Sequence, residues 1–168
     1  DMARQSSSGI VARDLTLSGP DFAAGQAHGP LSKDAGLVLE SAATGAYTSP
    51  VIAAPIPFSD LGCLWEADLP SGASFLIEVR TSPNAEGSRW TPWTVLTEED
   101  DQPPLPYGQH GSTLLGVPQS DGVHLRLQYR LHIGAVPTAK LPNLQRLTFS
   151  FIDARAGPST VELLAGKG

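Results

Sequence analysis

The chain has 168 residues, 40% of them hydrophobic, with 17 acidic against 11 basic side chains and a formal charge of -6 at neutral pH. That is enough for one domain with a real core, and the acidic balance weighs against a nucleic-acid or anionic-membrane partner, because phosphate binding needs a basic stripe to release counterions. A lone cysteine, Cys63, excludes an internal disulfide and a multi-cysteine zinc site.

The 17 glycines and 15 prolines lie well above average usage beside ordinary apolar content, which favours many short strands joined by turns. No apolar run approaches the roughly 20 residues of a membrane helix, so no membrane insertion is expected. In chain order, residues 1–35 are weakly patterned and read as an N-terminal arm or first strand. Their one alternating stretch, IVARDLTL, sets Val11, Arg13, Leu15 and Leu17 against Ala12, Asp14 and Thr16. GLVLE (36–40) and AYTSPVI (46–52) read as short strands. APIPF then breaks the ladder, because each proline removes a backbone donor.

LGCLWEADL (61–69) is a strong strand with Leu61, Cys63, Trp65, Ala67 and Leu69 on one face, which suggests that Cys63 is buried. FLIEVRTS sends Phe75, Ile77 and Val79 inward and Glu78 and Arg80 outward. The loop PNAEGS then turns the chain back into RWTPWTVL, as in a hairpin. Residues 98–112 form a long acidic, proline-rich connection. LRLQYRLHI alternates most cleanly, with Leu125, Leu127, Tyr129, Leu131 and Ile133 inward and Arg126, Gln128, Arg130 and His132 outward; burial on one side implies an antiparallel sheet. LQRLTFSFID repeats the pattern with Leu147, Phe149 and Phe151. Only STVELLAG (159–166) carries an N-cap serine, ahead of a short helical or strand-like run.

These features predict an all-β protein: an antiparallel β-sandwich of jelly-roll type, with about seven or eight strands and an extended N-terminal arm. The sandwich is expected over 36–158, with 159–168 a C-terminal tail or linker. Strands with one apolar face must hide it, and a second sheet is the economical cover.

Little in the chain points to catalysis. There is no G-x-S-x-G elbow and no H-E-x-x-H, and His28, His110, His124 and His132 lie apart in sequence. His132 continues an outward row and reads as an exposed structural histidine. Glu98, Glu99, Asp100 and Asp101 form an acidic run in which Asp100 and Asp101 are weak calcium candidates, against a solvated loop; calcium is the one possible cofactor. Asp121 and Gly122 read as a turn.

Trp90 and Trp93 are the sharper feature. On a regular strand residues three apart face opposite sides, so at most one ring joins the core stripe with Val95, and the other projects outward unless Pro92 introduces a bulge. An outward indole stacks on sugars, and Arg80, Arg126, Gln128 and Arg130 supply planar donors to hydroxyls or to the carboxylates of an acidic glycan. The competing reading keeps both rings in the sandwich or under the proline-rich loop, since tryptophan is highly buried on average.

The ordered series GAYTSPVI, PFSDLGCLWEADLPSG, EVRTSPNAEGSRWTPWTVL, LRLQYRL and LTFSFIDARAGP resembles the non-catalytic N-terminal β-sandwich region ahead of amidase domains in secreted bacterial N-acetylmuramoyl-L-alanine amidases of the peptidoglycan-recognition type. The outline is also similar to galactose-binding-like modules. The resemblance spans about 36–158. It implies a secreted protein, extracellular or at the cell envelope, with no catalysis of its own in this chain and a glycan or peptidoglycan as partner. An alternative reading makes the chain a structural subunit of an extracellular filament or other assembly. In it, an arm carrying Val11, Leu15 and Leu17 adds as a strand to the open sheet edge of another copy.

Overall fold

The structure, a computed structural model, describes residues 4–5, 10–96 and 109–155. Thirteen strands lie among the described residues: β1 (Arg4–Gln5), β2 (Val11–Ser18), β3 (Gln26–His28), β4 (Leu31–Ser32), β5 (Leu37–Leu39), β6 (Thr44–Thr48), β7 (Ile52–Phe58), β8 (Asp60–Asp68), β9 (Ala73–Ser82), β10 (Thr94–Val95), β11 (Gln109–Gly116), β12 (His124–Ala135) and β13 (Asn143–Asp153). Short 3-10 turns occupy Gly19–Ala24 and Gln119–Asp121. One sheet runs β1-β2-β13-β5-β4, with β8 on the other edge of β13 and β11 beyond it. The other runs β10-β9-β12-β6-β3, with β7 also paired to β12. Two antiparallel sheets closing over one core make the expected all-β jelly-roll sandwich, but with thirteen strands among the described residues where seven or eight were expected, because strands of two or three residues such as β1, β3 and β4 are too short to show an alternating pattern.

The long strands obey their alternation. β8 buries Leu61, Cys63, Trp65 and Ala67, β12 buries Leu127, Tyr129, Leu131 and Ile133, and β13 buries Leu147, Phe149 and Phe151. Burial pushes the Cys63 thiol well up, so this cysteine is an inert part of the core. A chain of ring contacts crosses the core: Phe22 to Tyr47, Tyr47 to Tyr129, Tyr129 to Phe149, Phe149 to Phe151, Phe151 to Phe58, and Phe58 to His124, with centroids 5.1 to 6.5 Å apart. Each such ring stabilises by about 1.5–3 kcal/mol through area removed from water. Tyr47 satisfies its buried hydroxyl by donating to the Phe22 carbonyl oxygen at 2.6 Å.

Several expectations are corrected by the way elements meet. The segment carrying Val11, Leu15 and Leu17 is not a free arm: β2 pairs from Val11 to Ser18 with β13 of its own chain, and Leu15 and Leu17 pack against its own core. Residues 11–35 therefore supply three strands and a turn to the two sheets. APIPF lies within β7, which pairs with β12 only at Ile52, Ala53 and Phe58; Pro55 and Pro57 sit where the ladder asks for no donor. Part of the expected 98–112 connection belongs to β11, which starts at Gln109 and pairs with β8.

Leu125 is half-buried and His124 is fully buried, the reverse of simple alternation. The register of β12 against β7 shifts between His124 and Arg126, and the extra residue turns the histidine inward. Asp100, Asp101 and STVELLAG lie outside the described residues.

Candidate functional site

The site is built on the outward rows of β9 and β12. Their register sets Arg126 opposite Ser82, Gln128 opposite Arg80, Arg130 opposite Glu78 and His132 opposite Leu76. Cross-strand neighbours on one face touch, and these side chains form one network. Arg80 donates from Nε and Nη2 to Gln128 Oε1 at 3.0 and 2.7 Å, and Gln128 Nε2 donates to the Ser49 carbonyl at 2.8 Å. Arg130 Nε donates to Glu78 Oε1 at 2.7 Å, and His132 Nε2 donates to the same oxygen at 3.2 Å. The hydrogen bond from Arg130 is the main cause that holds the Glu78 carboxyl below its ordinary value, against the effect of burial.

Both tryptophans lie over this network. The Arg80 guanidinium carbon is 4.5 Å from the Trp90 ring centre and 4.9 Å from that of Trp93, and Arg130 is 4.2 Å from Trp93. Each contact contributes about 0.5–2 kcal/mol. Both rings are half-buried and neither belongs to the core cluster, so the reading that keeps them inside the sandwich is corrected, while its other form, burial under the proline-rich loop, involves residues 97–108, outside the described residues.

How two residues three apart reach one face follows from the pairing. Thr91 is bonded to Thr81, its N–H donating to the Thr81 carbonyl and its Oγ1 accepting from the Thr81 N–H, both at 2.9 Å. Thr94 pairs with Val79. Two steps along β9 thus oppose three steps along the returning segment, and Pro92, which has no N–H to lose, is the surplus residue. Thr91 and Thr94 consequently turn to a cleft of about 280 Å³ shared with Thr81, Leu115 and Val117, while Trp90 and Trp93 share the opposite side.

Upstream, Gly87 adopts φ +64°, a conformation that favours glycine, and a β-carbon there would stand 3.1 Å from the Trp90 ring. Asn84 shapes the same turn, accepting from the Gly87 N–H and donating from Nδ2 to Ser88 Oγ.

A second polar chain fastens the tryptophan segment from behind, and the sequence reading did not find it. Arg89 Nη2 donates to Asp121 Oδ1 at 2.8 Å. The other oxygen, Oδ2, accepts from His124 Nε2 at 2.9 Å. A carboxylate only accepts, so Nε2 carries a proton, and Nδ1 shares a hydrogen bond with the Thr81 hydroxyl at 2.7 Å. Thr81 closes the loop through Thr91. The bonds to His124 first, and to Arg89 second, hold the Asp121 carboxyl below its ordinary value. The one available signal was His124 beside the SDG turn, masked because alternation places that histidine outward.

Of the residues named from sequence, Arg80, Arg130, Trp90 and Trp93 are brought together. Arg126 lies on the same face beyond Gln128, outside the stack, with Nη1 donating to the Leu125 carbonyl at 3.1 Å. The outward His132 is as expected, with its side chain 44% exposed. The arrangement offers flat apolar rings, fixed guanidinium donors and a carboxylate acceptor side by side.

No family model and no curated protein matches this chain. Among solved structures, it is similar to the C-terminal CBM6 of LamC, a marine laminarinase from Zobellia galactanivorans, at 12% identity over 82% of this chain and 98% of that one, with a TM-score of 0.44. It is similar to the xylan-binding module CBM15 at 12% identity over 83% and 97%, TM-score 0.39. The VP2 subviral particle of infectious bursal disease virus is also similar, at 10% identity over 86% of this chain but 34% of that one, TM-score 0.44. Likenesses of this size concern outline and say nothing of function.

Proposed function

We propose that this chain is a non-catalytic carbohydrate-binding module whose binding face is the outer surface of β9 and β12 under Trp90 and Trp93. One observation carries the reading: two half-buried indoles on the same outer face, held in place by Arg80 and Arg130. Sugar rings present apolar C–H faces to aromatic rings and hydroxyls to planar donors and acceptors, and both partners are supplied here within one cross-strand step. Because the rings are fixed before a ligand arrives, little side-chain entropy is lost on binding. The resemblance of the strand motifs to the amidase-associated module is the reason for trying peptidoglycan first among wall glycans and for proposing an extracellular or cell-envelope location.

The test is sedimentation with insoluble polysaccharides and purified peptidoglycan, together with the tryptophan emission of the wild-type protein during titration with soluble fragments. Retention on at least one glycan and a shift in emission are expected, since Trp65 is buried and the two site indoles are the accessible reporters. Trp93→Ala, checked for folding by circular dichroism, is expected to weaken retention at least tenfold, and Trp93→Phe less. Folded protein that binds none of the glycans overturns the proposal.

A further inference from the structure

The charge on this face is opposite to that of the chain. Overall there are 17 acidic and 11 basic residues, yet the outward positions 76, 78 and 80 of β9 and 126, 128, 130 and 132 of β12 hold three arginines and one glutamate, Ser82 of the same row being buried under the following turn. Glu78 is engaged by Arg130 and His132. Arg80 shares one neutral amide oxygen, and Arg126 donates to a backbone carbonyl. Among the described residues neither has a carboxylate partner.

An unpaired cation on an exposed row is commonplace, because water solvates it. Arg80 differs in being stacked against two rings with Arg130 nearby. Burial first, and the charge of Arg130 second, press its guanidinium below the ordinary arginine value. An anion seated there would offset the repulsion between the two arginines and give the partly desolvated guanidinium a charged partner. Arg126 is the diagonal cross-strand neighbour of Arg80, and Gln128 adjoins both, its amide oxygen committed to Arg80 and its nitrogen to Ser49, so the group beside the two arginines is neutral and not a competing carboxylate.

We propose that the glycan taken by this face is acidic, with a carboxylate or sulfate group held between Arg80 and Arg126 while a neighbouring sugar ring lies on an indole. The inference rests on the carbohydrate reading above and narrows its ligand class. Guanidinium–oxyanion bonds are roughly twice as strong as neutral ones, and a single such pair is worth about tenfold in affinity.

The experiment measures affinity by calorimetry for three oligosaccharides of matched length: a polygalacturonate fragment, a sulfated galactan fragment and a neutral galactan fragment. Oligothymidylate serves as an anion without sugar stacking of this kind. At low salt at least one acidic fragment is expected to bind about tenfold tighter than the neutral one, and the advantage is expected to shrink as salt rises to about 0.5 M. The carboxylate and sulfate arms distinguish the two sources of charge. Arg126→Gln, which leaves the ring stack alone, is expected to cost the acidic fragment about tenfold, with Arg126→Lys recovering part of it. Equal affinity for neutral and acidic fragments overturns the inference and leaves the carbohydrate reading standing. Binding of oligothymidylate as tight as that of the acidic sugars overturns it as well, exposing a general anion surface, and no sugar binding by folded protein removes both.

Discussion

At the scale of single residues, Pro92 decides the character of the site. The sequence admitted one route by which Trp90 and Trp93 share a face, an irregularity at that proline, and the pairing of Thr91 with Thr81 and Thr94 with Val79 takes that route. The arginines were legible because alternation in FLIEVRTS and LRLQYRLHI is strict enough to name the outward row. The Arg89–Asp121–His124–Thr81 chain was not legible, since it joins residues up to 43 positions apart and depends on a one-residue register shift. Asp121 has its carboxyl held down by His124 and Arg89. A depressed carboxyl stabilises the fold above its unfolded value, about 3.9, and that contribution is lost as pH falls through the lower folded value. Thermal melts from pH 7 to pH 2 are therefore expected to fall more steeply for wild type than for Asp121→Asn at the acid end; parallel curves would show that the carboxylate contributes nothing. A second expectation concerns Tyr47. Replacing it with phenylalanine removes one of the two donors to the Phe22 carbonyl, which keeps the Gly25 N–H at 3.3 Å, and is expected to cost about 0.5–1.5 kcal/mol in urea unfolding.

At the scale of elements, the sequence separated strands that carry core from segments whose role depends on a neighbour. β8, β9, β12 and β13 each announce one apolar face, and the structure buries those faces. β2 is different: its alternation is weaker, with Arg13 among the inward positions, so it read equally well as an arm that seeks another chain. Its eight register pairs with β13 show what it does in this chain. A protein truncated before residue 19 is accordingly expected to lose cooperative unfolding and to associate, because the edge of β13 and the apolar faces of Leu15 and Leu17's neighbours become exposed. Size-exclusion chromatography and a melt followed by circular dichroism check this; an unchanged monomeric melt would mean that β2 is dispensable. β7 and β11 were missed for a common reason. Proline content and charge argue for loops, but a strand needs donors only where it is paired, and β7 is paired at three positions.

At the scale of the whole molecule, the ring contacts that start at Phe22 cross both sheets and end on His124. Through Asp121 and Arg89 that same histidine holds the segment bearing the tryptophans. Core and candidate site are thus tied by one buried imidazole, and the indoles are presented from a rigid support, as a stacking surface requires. What the amino-acid sequence determined by itself is the class of fold and the composition of the outer row. Both follow from a period of two residues that any pleated strand must obey, whatever its partners. What only the tertiary structure decided is which strand lies beside which, and with it the meeting of Arg80 with Gln128, the docking of β2 on β13 and the inward turn of His124. Those outcomes depend on register, and a shift of one residue, which local pattern cannot foresee, exchanges the faces of everything beyond it.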